Sequence, residues 1–452
     1  MKNALLIFAF LSFYLSSVHA SVEIRSNKLT TGDGLANNSI RYMFQDSKGF
    51  MWMGTVNGLS YYDGNSFVSI YPDPNLPISL ADPRIRNMEE DSNGFLWIAT
   101  LSSLYSCYDL KHGRFVDFTG CGEYKQSYSK KIIASDQSIW LWDNNNGCRR
   151  VVYQDGQFSS QAYKKELGNL SSDEVLFVYE SNDSPGHVWI GTKQGLWKYH
   201  DGKLEAMDTQ RESWEHIFSY DQYTCIITGK KEIYRHSLSN NRLEKIASLT
   251  ELGDTGVITG SLRLQHQWVM FTATGSYILD PVTGKLRRFS RLNIKNGNVT
   301  RDNKGNAWVH NYTGNVWYVN TSTGDIKHFQ FLSSEHLGYI DVERYSIIHD
   351  SRDIIWITTY GNGLFAYDLN TGDLQHFTFE VSHSSHINSN YLQYIIEDRS
   401  GGIWVSSEFS GLSHLEILNK GTLRIYPNGE DASDRSNTIR MLLRGKNGNV
   451  YM

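Results

Sequence analysis

Short runs of alternating apolar and polar residues fill the chain, and one arrangement of them recurs along its length. Residues 45–64 read QDSKGFMWMGTVNGLSYYDG: an Asp-x-x-Gly turn, an apolar run around Trp52, a second Gly turn and an aromatic strand. Related phrases occupy residues 90–109, 349–368 and 397–412. Alternation with a period of two, bounded by Gly-containing turns, predicts β-strands joined by tight hairpins.

The Trp at the centre of the phrase marks the repeat. Its position is occupied in turn by Trp52, Trp97, Trp140, Trp189, Ile226, Trp268, Trp308, Trp356, Trp404 and Tyr451. From Trp52 to Trp404 the mean spacing over eight steps is about 44 residues. Repeats of roughly 40–50 residues are typical of propeller blades with four strands each. The segments around Trp140, Ile226 and Trp268 match the phrase least well.

Each repeat predicts four strands. In the first repeat we expect them over residues 40–45, 50–55, 59–63 and 66–70. The segment DSKG between the first two is a hairpin turn, because Asp bonds to its own backbone and Gly accepts a positive φ. Trp52 and Gly54 lie two residues apart and face the same side, so a large ring lies beside a gap. Stacked sheets need that alternation of bulk to interdigitate.

The number of repeats suggests how the chain is divided. Residues 22–25 have the pattern of an outer strand, which we expect to complete a seventh blade and close a ring, because closure removes exposed sheet edges. Residues 326–331 would play the same part in a second ring. We therefore predict an all-β chain with a seven-bladed β-propeller over residues 21–332. Residues 333–452 would form the first three blades of a second, incomplete propeller, as in a fragment or a truncated product.

The N-terminus has the features of a secretory signal peptide. Lys2 supplies a positive charge, residues 4–15 are almost wholly apolar, and Ala20 is a small residue suited to cleavage. We predict a signal peptide over residues 1–20 and a periplasmic location; an N-terminal membrane anchor is the alternative. No later segment approaches the ~20 apolar residues that a membrane span needs.

The composition of the chain excludes some classes of binding partner. The chain has 452 residues, is 40% hydrophobic and carries a net charge of −5 without a basic run, so we expect neither nucleic acid nor an anionic membrane surface as a partner. We also expect no direct membrane span, because no later segment is apolar over a sufficient length. The four cysteines are Cys107, Cys121, Cys148 and Cys225. Cys107 and Cys121 fall in one repeat and could form a disulfide in an oxidising compartment, but buried free thiols explain them equally well.

We find no pattern that indicates catalysis, a metal or a cofactor. Each Asp-x-x-Gly turn offers one carboxylate, whereas a calcium loop needs several oxygen ligands, so turn structure explains these residues better. The turn also differs from the Asp-box of sialidases, in which Asp and Gly are two residues apart. His383 and His386 form the only close histidine group, in a Ser-rich stretch typical of a loop. The sequence therefore argues against an enzyme.

Aromatic residues are the candidate ligand contacts. We assign the repeat tryptophans to packing between blades, and name Trp142, Trp197, Trp214 and Trp317 as weak candidates for stacking on a sugar, because an aromatic face suits a sugar ring. A place in the core explains each of the four as well. We expect function to lie in the variable loops and in the least regular repeats.

The repeat phrase resembles a known family. WMGT at residues 52–55, followed by Gly58-Leu59, and WIGT at residues 189–192, followed by Gly195-Leu196, resemble the two-component regulator propeller repeat. The lead-in LTTGDGL at residues 29–35 resembles the start of the periplasmic sensors of hybrid two-component systems in gut Bacteroidetes.

That resemblance implies a fold and a function. Family members carry two seven-bladed propellers, a β-sandwich, a transmembrane helix, a histidine kinase core and DNA-binding modules, and they detect polysaccharide breakdown products. This chain departs from the pattern, since it has no β-sandwich, membrane span or kinase motif. We therefore expect an extracytoplasmic sensor module with an oligosaccharide ligand, and a homodimer is compatible with it. The alternatives are a propeller-fold glycosidase or lyase and a non-signalling scaffold remnant.

Overall fold

The chain forms a ring of four-stranded antiparallel β-sheets. The computed structural model describes residues 23–119, 128–181, 185–207, 213–221, 224–229, 232–237, 242–254, 257–302, 304–311, 315–330, 346–380, 386–418, 443–444 and 450–451. These residues form nine four-stranded sheets and one two-stranded sheet. The predicted signal peptide, the predicted boundary at 332/333, Cys121 and His383 lie outside the described residues.

The first four blades follow the chain in order. Blade 1 consists of β2 (Ile40–Gln45), β3 (Met51–Thr55), β4 (Leu59–Tyr62) and β5 (Phe67–Ile70). Blade 2 consists of β6 (Ile85–Glu90), β7 (Phe95–Thr100), β8 (Tyr105–Asp109) and β9 (Arg114–Val116). Blade 3 consists of β10 (Lys130–Ile133), β11 (Ile139–Trp142), β12 (Cys148–Gln154) and β13 (Gln157–Tyr163). Blade 4 consists of β14 (Val175–Glu180), β15 (Val188–Thr192), β16 (Gly195–His200) and β17 (Lys203–Ala206).

The next four blades repeat the arrangement. Blade 5 consists of β18 (Trp214–Asp221), β19 (Thr224–Gly229), β20 (Glu232–Ser237) and β21 (Arg242–Ser248). Blade 6 consists of β22 (Gly260–Leu264), β23 (Gln267–Phe271), β24 (Ser276–Leu279) and β25 (Leu286–Arg288). Blade 7 consists of β26 (Asn298–Arg301), β27 (Ala307–His310), β28 (Asn315–Val319) and β29 (Ile326–Gln330). Blade 8 consists of β30 (Ile347–His349), β31 (Ile354–Thr358), β32 (Leu364–Asp368) and β33 (Leu374–Phe377).

Blade 9 closes the ring with a strand from the other end of the chain. Its own strands are β34 (Leu392–Glu397), β35 (Ile403–Ser407) and β36 (Leu412–Leu418), and its fourth strand is β1 (Glu23–Leu29). Strands β1 and β36 pair antiparallel from Glu23↔Leu418 to Leu29↔Leu412. The remaining sheet joins β37 (Leu443–Arg444) to β38 (Val450–Tyr451), so the tenth repeat position lies in none of the nine blades.

This arrangement corrects the prediction of one seven-bladed propeller followed by an incomplete second one. The N-terminal strand does not complete blade 7, because Ile326–Gln330 pairs with β28 as that blade's own fourth strand. Burial explains where β1 pairs instead. Ile24 packs among apolar residues of blades 8 and 9, and Leu29 packs against Trp404 and Leu412. Closing the ring at blade 9 buries both side chains.

The repeat positions are distributed as the sequence predicts. Trp52, Trp97, Trp140, Trp189, Ile226, Trp268, Trp308, Trp356 and Trp404 each lie on the second strand of a blade. Gly54 leaves the predicted gap, since a Cβ atom there would lie 2.5 Å from Cγ2 of Ile85 in the next blade. The apolar core therefore consists of layers between successive sheets rather than one central cluster.

Two faces of the ring follow from the strand directions. We call the face where the first strand of each blade begins the top face; it carries the loops between second and third strands and the connections between blades. The bottom face carries the hairpin turns between first and second strands. Helix is confined to three short 3-10 turns, at Thr31–Asp33, Leu249–Leu252 and Ser290–Leu292 among the described residues. No helix in this part of the chain is long and apolar enough to cross a membrane.

On the bottom face, hydrogen bonds link neighbouring blades. The Glu that ends a first strand accepts hydrogen bonds from the Ser in the hairpin turn of the preceding blade. This contact joins Ser47 to Glu90, Ser135 to Glu180 and Ser351 to Glu397. At the closure, the backbone N–H of Arg399 in blade 9 donates to Gln45 in blade 1 at 2.9 Å. The same position in the turn therefore fastens the junction between the last blade and the first.

Candidate ligand-binding surface

Exposed aromatic rings lie together on the top face, where blades 8 and 9 meet. Phe409 is 71% exposed and Tyr391 is 45% exposed. The ring of Tyr360 meets that of Tyr391 edge to face, with centroids 5.2 Å apart and planes at 76°. We call Tyr360, Tyr391 and Phe409 the aromatic surface. Large exposed rings beside polar groups are unusual enough on a soluble protein to indicate a binding site.

Two of these rings are placed by longer loops. In blade 1, Leu59 follows Trp52 by seven residues, whereas in blades 8 and 9 the corresponding Leu follows its Trp by eight. The extra residue lengthens the loop between the second and third strands, and these two loops carry Tyr360 and Phe409. Tyr391 comes from the connection that leads into β34.

The backbone beneath the aromatic surface is held by hydrogen bonds. The N–H of Leu392 donates to the carbonyl oxygen of Thr359 at 3.0 Å, and the N–H of Glu408 donates to that of Tyr391 at 2.9 Å. The N–H of Gly361 donates to the carbonyl oxygen of Asn390 at 2.8 Å. The connection and both loops are thereby tied together. A surface ordered in advance loses less conformational entropy when a ligand binds.

A buried carboxylate lies beside the aromatic surface. Glu408 is 6% exposed, and its carboxylate accepts hydrogen bonds from Nη2 of Arg41 at 3.0 Å and from Nε2 of Gln393. Arg41 and Gln393 stand near the start of the first strands of blades 1 and 9. The Arg41 side chain is 36% exposed, so part of its guanidinium faces solvent and can donate to a ligand.

Two tyrosines pack below this polar group. The rings of Tyr42 and Tyr394 lie 4.7 Å apart on neighbouring first strands. Burial raises the pKa of both phenols above the ordinary value. Both phenols are therefore neutral at physiological pH, and the two rings act as packing groups rather than as acids or bases.

A second depression on the top face lies between blades 3, 4 and 5. It encloses about 400 Å³, and its walls include Asn145, Glu174, Lys193 and Glu215. Nζ of Lys193 lies 2.7 Å from Oε2 of Glu174, so these two charges largely neutralise each other. No aromatic side chain lines this depression. It offers hydrogen bonds but no flat apolar face.

Comparison with protein families identifies the repeat. Residues 34–57 and 79–102 match the family described as two component regulator propeller. Both segments run from just before a first strand to the loop after the second strand, in blades 1 and 2. Two segments of this chain therefore match the two-component regulator propeller repeat. A search of curated proteins gave no match.

Solved structures similar to this chain include two bacterial domains. The extracellular domain of the hybrid two-component system BT3049 from B. thetaiotaomicron is 17% identical, with a TM-score of 0.39 over 95% of this chain and 64% of that one. That of BT4673 from the same organism is 17% identical, with a TM-score of 0.40 over 87% of this chain and 58% of that one. The chain thus spans less than two thirds of either domain.

A further similar structure is a propeller outside these regulators. The Dos1 propeller is 10% identical, with a TM-score of 0.50 over 87% of this chain and 94% of that one. At such low identity the likeness concerns the fold alone. The likeness to the Dos1 propeller agrees with the ring of blades in this chain.

The four tryptophans named from the sequence do not form one site. Trp142 and Trp197 pack in one layer between blades 3 and 4, whereas Trp214 and Trp317 lie elsewhere in the ring. Trp142 and Trp214 are 5% and 1% exposed, within the layers between blades. Trp197 is half-buried in blade 4. Trp317 is half-buried in blade 7 and stacks on His328, with centroids 4.9 Å apart. The structure brings none of the four to the aromatic surface.

The other candidate groups named from the sequence include two buried cysteines and one exposed histidine. Cys107 and Cys148 are buried thiols, and burial raises the pKa of both above the ordinary value. The ring of His386 meets that of Phe377 edge to face. Among the residues that the structure describes, no three His, Cys, Asp or Glu side chains are grouped so that they could hold a metal ion.

Sequence reasoning missed the aromatic surface although a signal for it exists. The loops of blades 8 and 9 read YGNG and EFSG, where blade 1 has VNG. Both loops have one residue more than that of blade 1 and an aromatic residue in the turn. The sequence of blade 7 shares this signal, with Val316 eight residues after Trp308 and Tyr312 between them. The ligand contacts predicted from the sequence are all tryptophans, whereas one Phe and two Tyr form the aromatic surface.

Proposed function

We propose that this chain is the ligand-sensing module of a two-component regulator, located outside the cytoplasm, and that it binds an oligosaccharide at the aromatic surface. The observation that carries the proposal is the exposure of Phe409 and Tyr391 beside the ion pair of Arg41 and Glu408. The match to a regulator family supports sensing rather than catalysis.

The chemistry of the surface suits a sugar. A pyranose has C–H-lined faces that pack on aromatic rings and hydroxyl groups at its edge that need hydrogen-bond partners. Phe409 offers a flat apolar face with no polar atom of its own. Arg41 and Gln393 supply donors at the side of that face, and their bonds to Glu408 fix their orientation. A ligand longer than one sugar could extend over Tyr391 towards Tyr360.

The position of the surface offers a route for a signal. A ligand on it would touch blades 8 and 9 and reach Arg41 in blade 1, on both sides of the ring closure. Such a ligand biases any equilibrium between two arrangements that present this surface differently. A homodimer, or a neighbouring part of a longer regulator, would supply the two arrangements.

Isothermal titration against a panel of purified oligosaccharides tests this function. We expect one member of the panel to bind the wild-type chain without being cleaved. Phe409→Ala should weaken that binding about tenfold, the loss expected when one aromatic contact of about 1.4 kcal/mol is removed. Leu374→Ala is the matched control, because Leu374 is 47% exposed on the outer strand of blade 8.

The outcomes separate the candidate functions. Binding that Phe409→Ala weakens and Leu374→Ala leaves unchanged supports the proposal. Appearance of shorter products in the titrated mixture would replace sensing by a glycosidase or lyase activity. Equal affinity of both variants would remove the aromatic surface from the binding site. No binding across a broad panel would favour a scaffold.

A further inference from the structure

A basic cavity lies on the bottom face, opposite the aromatic surface. It is an open recess of about 660 Å³ between blades 6 and 7, and Arg263, His266 and Arg301 are exposed on its walls. Arg263 and His266 contribute from the first hairpin of blade 6, and Arg301 from the end of β26 in blade 7. Its remaining walls are polar, and none of the residues that line it is an Asp or a Glu.

Arg301 carries an uncompensated charge in this cavity. Its guanidinium makes no hydrogen bond or ion pair with the residues that the structure describes. Partial burial lowers the pKa of Arg301, and only Tyr179 acts in the opposite direction. A neighbouring carboxylate would instead have raised that pKa. A guanidinium with five donors and no hydrogen-bond partner among the described residues can bind an anion.

Arg263 is fixed in place and still has donors to offer. Its Nε donates to the carbonyl oxygen of Gln265 at 3.1 Å, and its Nη1 donates to that of Tyr220 at 3.0 Å. Its Cζ lies 5.4 Å from the centre of the Tyr220 ring. These contacts hold the plane of the guanidinium while Nη2 stays available. All of its partners are neutral, so the positive charge remains.

The walls of the cavity are joined across the two blades. The N–H of Gln265 donates to the carbonyl oxygen of Thr321 at 2.7 Å, and Nε2 of Gln265 donates to that of Thr323 at 3.2 Å. The hydroxyl of Thr321 donates to the carbonyl oxygen of Gly305 at 2.9 Å. The hairpins that carry the basic groups are therefore held together before any ligand arrives, which lowers the entropy lost on binding.

We propose that this cavity is a binding site for a small solute that bears an oxyanion group, a carboxylate, sulfate or phosphate. Arg301 and Arg263 bind the oxyanion, because the planar guanidinium matches its oxygen atoms in pairs. The imidazole of His266 and the hydroxyl of Ser322 line the space beside them and can donate to the rest of the solute. This site is independent of the aromatic surface on the other face.

Titration of the full chain with four probes tests the site: inorganic phosphate, inorganic sulfate, glucuronate and, as the neutral counterpart, glucose. Ionic strength is kept constant with sodium chloride. We expect at least one of the three anions to bind. Arg301→Gln should weaken that binding at least tenfold, and Arg301→Lys should restore part of it by returning the charge. Arg287→Gln is the matched control, since Arg287 is exposed on the outer strand of blade 6.

Each outcome of these titrations either supports or contradicts the proposed oxyanion site. Stronger binding of glucuronate than of phosphate or sulfate identifies an organic anion as the ligand, and the reverse identifies a free inorganic one; both support the site. Loss of anion affinity with Arg301→Gln but not with Arg287→Gln places the anion in the cavity. Equal affinity of these two variants, or no binding of any anion to the wild-type chain, overturns the proposal. Glucose binding that depends on Arg301 would also contradict it, because a neutral sugar needs no positive charge.

Discussion

The indole Nε1 of Trp52 donates a 2.8 Å hydrogen bond to Oδ2 of Asp46, six residues earlier in the chain. The other oxygen of this buried carboxylate accepts the backbone N–H groups of Lys48 and Phe50. One side chain therefore holds the hairpin turn and orients the ring that packs between blades. The same Nε1 bond, of 2.7 to 3.0 Å, recurs in blades 2, 8 and 9.

Replacing Asp46 tests the importance of this double role. Asp46→Ala should lower the free energy of unfolding by about 2–4 kcal/mol, because it leaves a buried indole N–H and two turn amides without their acceptor. Asp63→Ala is the control, since Asp63 caps a turn in the same blade but lies on the surface. Urea unfolding followed by Trp fluorescence measures both. Similar losses would mean that the Trp bond adds nothing to the turn.

The ring closure depends on a glycine. Gly411 has φ +78°, and a Cβ atom there would lie 2.3 Å from the carbonyl oxygen of Leu29 in β1. Gly64 has φ +98° and open space around it. Gly64→Ala should therefore cost about 1 kcal/mol from backbone strain alone. Gly411→Ala should cost clearly more, because it also pushes β1 away from blade 9. Thermal unfolding of both variants measures the difference, and equal shifts would argue that β1 contributes little to closure.

The Ser–Glu contacts on the bottom face should matter more than ordinary surface ion pairs. Glu397 accepts the N–H and the hydroxyl of Ser351, and its side chain is 18% exposed. Glu397→Ala should lower the free energy of unfolding by about 1–2 kcal/mol. Glu416→Ala should change it by less than about 0.5 kcal/mol, because the Glu416 pair with Arg25 is 3.8 Å long and exposed. Chemical denaturation compares them, and the reverse order would contradict a fastening role.

A buried histidine should make the fold sensitive to mild acid. Burial lowers the pKa of His310 to about 4, below the value of about 6.5 expected in the unfolded chain. The unfolded state therefore binds the proton first, and stability is lost as the pH falls from about 6.5 towards 4. At pH 5 the loss should be about 1–2 kcal/mol.

Comparing urea midpoints at pH 7 and pH 5 checks this sensitivity. His310→Asn removes the titrating group, so the variant should show a smaller drop between the two pH values than the wild-type chain. Burial also lowers the pKa of His216, so part of the drop should persist. An identical drop in both proteins would exclude His310 as its source.

The blades could be predicted from the sequence because their determinants are local. The Asp, Gly and Trp of each phrase act within one hairpin, and all nine predicted positions from Trp52 to Trp404 lie on second strands. Even the degenerate position at Ile226 takes its place on β19. Short-range spacing carries this information, so it survives variation in the outer loops.

The number of blades in the ring could not be predicted in the same way. The pattern of residues 23–29 suits the outer strand of any blade. Its partner strand, residues 412–418, comes much later in the sequence, so no local pattern identifies it. Ring size depends on the angle between successive sheets, which many packing contacts determine together. The aromatic surface escaped for a related reason, since Phe409 and Tyr391 are brought together by loops that the repeat leaves variable.

Closure by β1 sets the order in which the chain can be completed during synthesis. Strand β1 is made before the other described strands, but its ladder partner among them, β36, ends at Leu418. Between the synthesis of β1 and that of β36, β1 is an unpaired edge strand with apolar side chains at Ile24 and Leu29. The blades made during this time belong to a ring that is not yet closed. Contacts of such long sequence separation form late. In the nascent chain the edge of β1 therefore stays without its ladder partner until the third strand of blade 9 has been made.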